Sequence, residues 1–211
     1  MSSRAVPFIT GEIYHIYNRG CEKRCIFENY RNYNRFLRSI IYYQYADPKP
    51  RFSTFVTAQP SIKTDKNIEI IAYCLMPNHY HFLVKQLSDN AISNMFSRLG
   101  NSYTKYFNNG INRVGPLFQG EFKAVLIKTD EQLVHVSRYI HLNPVASLLV
   151  KRPEDWEWSS YKEYVSDLQL EVCSKNLILE LIGSKEEYQK FVEDQIEYAK
   201  SLELIKHQLL D

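Results

Sequence analysis

An α+β domain of the ferredoxin-like type is the fold class this sequence predicts: an antiparallel β-α-β-β-α-β sheet, one more helix and a helical C-terminal extension. Three observations predict it. Four stretches rich in β-formers are bounded by Gly, Pro or Asn. Apolar residues at helical spacing fill the first and third intervals, and the middle interval is a two-residue turn. No internal repeat runs through the 211 residues, so the chain reads as one domain with a real core, placed at 1–150, and an extension at 151–211.

Each element follows in order. Gly11 to Gly20 (GEIYHIYNRG) is dense in β-formers and closed by glycines, which makes it the first strand. Residues 29–45 place Tyr33, Phe36, Leu37, Ile40 and Tyr43 at helical spacing. Residues 46–67 lack periodicity and hold three prolines, so they read as a long surface loop. Ile68 to Met76 is an apolar strand, Pro77-Asn78 a turn, and His79 to Lys85 the returning strand of a hairpin. Residues 89–109 carry Ile92, Met95, Phe96, Leu99, Tyr103 and Tyr106 along one stripe that Gly110 stops. Residues 117–128 read as the fourth strand. Thr129 to Gln132 has the capping-box pattern ahead of Leu133, Val136 and Ile140. Pro144 is expected to end that helix, because a residue before proline avoids the α region. WEWSSYKEY then precedes two helices. The first stops near Gly183. The second starts at Ser184, with Tyr188, Phe191, Val192, Gln195, Ala199 and Leu202 on one face.

Composition narrows the function classes. No apolar run approaches the roughly 18 residues of a membrane span, and MSSRAVPFIT lacks a signal-peptide core. Cys21, Cys25, Cys74 and Cys173 are too few and too scattered for a disulfide scaffold, so a reducing, cytoplasmic setting is expected. The net charge is +2, but residues 171–211 carry five Lys/Arg against nine Asp/Glu, which leaves +6 on the first 170. Basic residues crowd 19–38 and 98–128, interleaved with aromatics. That pattern suits a nucleic-acid backbone with stacked bases, and it equally describes a solvated helix face.

The residues with chemical potential are few. His79 and His81 are two apart in a strand, so both imidazoles leave the same face and are able to grip one metal ion. A hydrogen-bonded polar pair is the plainer reading of the same spacing. His135, Tyr139 and Asn143 follow at steps of four on the next helix and share a face. Asn143 offers an amide oxygen and Tyr139 a hydroxyl. With 16 tyrosines in the chain, spacing alone barely separates Tyr139 from the others.

Together these residues carry a resemblance. CLMPNH running into His79-Tyr80-His81 resembles the His-hydrophobe-His strand of the HUH nucleases and transposases. Tyr139-Ile-His-Leu-Asn143-Pro-Val resembles the nucleophile helix of their single-tyrosine branch. The specific likeness is to the REP-associated tyrosine transposases. YHIYNRG, NSYTKYF, VGPLFQGEFK, WEWSSYKEY and FVEDQIEYA match as well, in the family's order, from about Gly11 to near residue 200.

The resemblance implies that Tyr139 is the nucleophile and that His79, His81 and Asn143 hold a divalent metal, Mg²⁺ or Mn²⁺. It implies cleavage and rejoining of single-stranded or hairpin DNA through a 5′-phosphotyrosine, by a monomer or homodimer. Asn18, Arg19, Arg24, Lys105, Arg113 and Lys123 become the candidate DNA contacts, with Tyr17, Tyr103 and Phe118 available for stacking and Tyr103 favoured as core. Two departures stand out. Glu121 occupies a position where the family usually has Arg, and Ala146 stands where its NPVRA motif has Arg. Both remove positive charge near the presumed DNA. The competing readings are a nicking enzyme that does not transpose, a zinc hydrolase using water on His79 and His81, and a silent nucleic-acid-binding protein.

Overall fold

The computed structural model describes residues 7–48, 52–58, 65–167 and 172–201. Its strands are β1 (Ile13–Arg19), β2 (Ile68–Met76), β3 (His79–Gln86) and β4 (Lys123–Leu126). Its helices are α1 (Tyr30–Tyr43), α2 (Phe52–Ala58), α3 (Ala91–Gly110), α4 (Asp130–Ala146), α5 (Tyr161–Val165), α6 (Asn176–Ile182) and α7 (Lys185–Glu193). The four strands form one antiparallel sheet in the order β2-β3-β1-β4. β3 therefore lies between β1 and β2, and β1 between β3 and β4, which is the split βαβ arrangement the sequence predicts. Among the described residues no helix is long and apolar enough to cross a membrane.

By compactness the chain divides into two units. One comprises Met1–Glu69, Pro77–His79 and Val84–Leu126, and the other Ile70–Met76, Tyr80–Leu83 and Ile127–Asp211. In the first unit β1 pairs with β4, Tyr14 opposite Leu126 and Tyr17 opposite Lys123. Asn29 caps α1 by accepting the amide of Asn32. The inward faces of α1 and α3 bring Phe36 to Tyr103 with ring centroids 4.8 Å apart, edge to face, and Phe27 packs on both. The Tyr103 hydroxyl donates to the Ile26 carbonyl at 2.6 Å, so this tyrosine is core. Gly20 is required by a close approach, since a Cβ there would lie 2.4 Å from the Arg24 carbonyl oxygen.

Two expectations change in this unit. The segment 46–67 is not wholly loop, because α2 forms within it. Phe52 and Phe55, three apart, both pack on Tyr42, and this tertiary contact outweighs a β-branched local sequence. Residues 49–51 and 59–64 of that segment lie outside the described residues. The fourth strand is also shorter than 117–128. Gly120 takes a φ of +123°, which interrupts pairing until Lys123 and leaves only an isolated bridge from Phe118 to Gly20.

The second unit is built on residues 70–76 of β2. The chain after α4 hydrogen-bonds along this segment, from Leu75 to Trp158, Ser160 to Tyr73 and Ser174 to Ile70. The Tyr164 hydroxyl adds a bond to the Ile71 carbonyl. α7 packs on α4, α5 and α6, burying Tyr188 and Val192, and Ser184 caps it through the amide of Glu187. α7 ends at Glu193 in a turn at 194–195, before a further helical stretch from 196. Leu202 lies outside the described residues.

Pro144 does not end α4, which continues to Ala146. Proline near a C-terminus removes only one backbone bond. The bonds from Ser147 to Asn143 and Leu149 to Pro144 close the last turn. At the other end Thr129 accepts the Gln132 amide at 3.1 Å, and the Gln132 side chain reaches back to the Lys128 amide at 2.8 Å. The predicted box is thus present, displaced by one residue on its return bond.

Candidate functional site

Strand alternation decides the faces of β3. His79 and His81 leave one side, while Tyr80 and Phe82 leave the other and stack edge to face. His79 Nδ1 lies 2.6 Å from the side-chain oxygen of its neighbour Asn78. A hydrogen bond on one ring nitrogen fixes the orientation of an imidazole, as it does in metal-binding histidines. His81 is 6% exposed. Its ring meets the Tyr139 ring edge to face, with centroids 5.4 Å apart.

Tyr139 is 52% exposed in the middle of α4, between a half-buried Arg138 and a buried Ile140. One turn on, Asn143 is 8% exposed and donates its amide N–H to the Tyr139 carbonyl at 3.3 Å. This bond orients the amide. One turn back, His135 is exposed. Arg138 donates to its Nδ1 at 2.8 Å and lies 4.1 Å over the Phe191 ring.

Among the described residues no three His, Cys, Asp or Glu side chains cluster to hold a metal. The zinc-hydrolase reading requires such a third ligand. Two imidazoles and an amide oxygen, the donor types that His79, His81 and Asn143 would offer, suit a borderline cation such as Mn²⁺ better than Mg²⁺ on ligand softness.

The six candidate DNA contacts belong to the first unit and divide by what their side chains already do. Asn18 is buried, with its amide N–H on the Gly120 carbonyl at 3.1 Å and its oxygen accepting the Arg19 amide at 2.8 Å. Arg113 spends its guanidinium on the 108–116 loop, donating to Asn108, Gly115 and Pro116. Arg19 at the end of β1, Lys105 on α3 and Lys123 on β4 are exposed, and Arg24 is half-buried. Phe118 is buried, turned inward by its bridge to Gly20, and so is unsuited to stack on a base, as is Tyr103. Tyr17 keeps a partly exposed ring against His15.

One feature of α4 is not visible in spacing. His141, fully buried, has Nδ1 2.6 Å from the Tyr188 hydroxyl and Nε2 2.8 Å from the Ser160 hydroxyl. Burial pushes its pKa down to about 3, so the ring is neutral. The sequence signal was its place two residues after Tyr139, on the opposite side of the helix. The partners, 19 and 47 residues away, carry no local signature.

Residues 51–143 match the family model described as Transposase IS200 like. A 104-residue stretch, 44% of this chain, is 30% identical to a putative REP-associated tyrosine transposase of Haemophilus influenzae. The match spans 58% of that relative's length. A solved structure of a REP-associated tyrosine transposase bound to a REP hairpin superposes with a TM-score of 0.54 at 19% identity, covering 82% of this chain and 90% of that one. The chain is similar in sequence to the first and shares its fold with the second.

Proposed function

With a central segment that matches the IS200-like transposases as premise, we propose that this chain cleaves and rejoins single-stranded or hairpin DNA through a 5′-phosphotyrosine on Tyr139. The observation that carries the proposal is an exposed tyrosine whose ring meets a strand histidine, with a hydrogen-bonded amide one helical turn away. His79, His81 and Asn143 are the residues that would hold a divalent cation. Such a cation, when bound, supplies Lewis-acid polarisation of a non-bridging phosphate oxygen.

The protein's own contribution is positioning. The Tyr139 Oη attacks phosphorus in line with the departing O3′, and the phenolic proton leaves to solvent. The P–O3′ bond breaks, the 3′ oxygen takes up a proton, and the 5′ phosphate remains on the tyrosine. Attack on that linkage by another 3′-hydroxyl reverses the step, so joining needs no external energy. The packing of His81 against the Tyr139 ring restricts where the phenol swings, and the Asn143 bond to the Tyr139 carbonyl keeps the two groups in register. The hairpin bound by the structural neighbour supports a substrate of that class here.

A hairpin oligonucleotide labelled at either end, incubated with protein and Mn²⁺ and run on a denaturing gel, tests the reading. The account expects a shifted band that keeps the fragment 3′ of the cut, and no such band with Tyr139→Phe, which still binds the hairpin. Cleavage without an adduct would instead favour water as the nucleophile.

A further inference from the structure

We infer that His141 is a positioning residue for Tyr139, acting through the rotation and axial placement of α4; the inference rests on the phosphotyrosine reading above. Residues two apart on a helix lie about 200° apart. Tyr139 therefore points outward because His141 points inward, and whatever fixes one ring sets the direction of the other.

The inward side is held by directional bonds rather than by apolar packing alone. The Tyr188 hydroxyl, from α7, sits 2.6 Å from His141 Nδ1 and donates to Ser137 Oγ at 3.1 Å. Ser137 and His141 are four apart, so one hydroxyl bridges successive turns of α4. Ser137 in turn donates to the Val134 carbonyl at 2.7 Å. On the other nitrogen, Ser160 Oγ lies 2.8 Å away. That same oxygen accepts the Tyr73 amide at 2.8 Å, which ties it to β2. β2 is the hydrogen-bonded neighbour of β3, where His81 meets the Tyr139 ring. The chain of contacts thus runs from the back of the nucleophile helix through β2 to the strand that faces the nucleophile.

Chemistry explains why the position calls for histidine. A neutral imidazole brings one N–H and one lone pair, at opposite edges of a rigid ring, so it donates to one hydroxyl and accepts from the other. An apolar side chain would fill the space and let α4 rotate or slide by a few tenths of an ångström. It would also take one bond from each of two buried hydroxyls, leaving Tyr188 with Ser137 and Ser160 with the Tyr73 backbone. In-line attack on phosphorus is sensitive to displacements of that size.

The test compares two hydroxyl deletions in the same aromatic cluster. Tyr188→Phe removes the bridge to α4. Tyr164→Phe removes a hydroxyl bonded to the Ile71 carbonyl on a ring 4.7 Å from that of Tyr188, with no bond to α4. For each, melting temperature, hairpin Kd and the single-turnover rate of adduct formation at saturating hairpin with Mn²⁺ are measured. Positioning predicts that Tyr188→Phe slows adduct formation about tenfold with Kd within twofold, while Tyr164→Phe at a similar melting temperature keeps its rate within twofold. His141→Gln, which retains a donor and an acceptor, should keep more of the rate than His141→Leu. A Tyr188→Phe rate within twofold of wild type, or equal slowing of both deletions, overturns the inference and leaves the phosphotyrosine reading standing. Wild-type protein that forms no adduct overturns that reading and the inference with it.

Discussion

At Tyr139 the informative quantity is exposure. Tyr103, Tyr161, Tyr164 and Tyr188 are fully buried, and burial raises the pKa of each phenol. Their hydroxyls are locked out of acid–base work, whereas Tyr139 is 52% exposed on α4. The residue scale also carries a pH prediction. Burial pushes the pKa of His15 on β1 from 6.5 down to about 4. Below about pH 6.5 the unfolded chain takes up a proton that the folded chain refuses. Stability is therefore lost as pH falls from about 6.5 to about 4, by at most roughly 1.4 kcal/mol per pH unit from this group, and is unaffected by it above that range. His15→Gln should flatten the difference between urea midpoints at pH 7 and pH 5. An unchanged difference would show that the imidazole is solvated.

At the scale of elements, the caps and stripes were legible because their causes are local. Thr129 and Ser184 each cap the helix that follows, and each bond spans three residues. Thr129→Ala should cost about 1 kcal/mol, a fall in melting temperature of roughly 2–4 °C. No fall would mean that the Gln132 bond to Lys128 alone holds the first turn. What was illegible depended on distant partners. α2 forms because Phe52 and Phe55 meet Tyr42. α4 passes through Pro144 because its last carbonyls find amides beyond the proline. Within the candidate site, the face shared by His79 and His81 and the spacing of Tyr139 and Asn143 could be read from periodicity. The His81 ring against Tyr139, the Asn78 contact that holds the His79 ring and the clamp on His141 could not, since each is a side-chain geometry rather than a spacing.

For the molecule as a whole, the balance of charge is the main handle on substrate. Arg19, Lys105 and Lys123 are exposed, whereas Asn18 and Arg113 are engaged in bonds within the fold. If hairpin binding rests on phosphate contacts, Arg19→Ala and Lys123→Ala should each weaken it across sequences. Each should also lower the slope of log Kd against log salt by about one. Arg113→Ala should act instead on folding, because its guanidinium holds the 108–116 loop, and its melting temperature should fall whether or not DNA is present. Slopes that stay unchanged in the Arg19 and Lys123 variants would move the DNA path elsewhere on the surface.

The most direct measurement of the central claim is tandem mass spectrometry of the protease-digested protein–hairpin adduct. The account predicts a nucleotide phosphate on Tyr139 and on no other tyrosine. A phosphate on Tyr17, Tyr198 or any residue other than Tyr139, or cleaved DNA with no modified peptide, would contradict it.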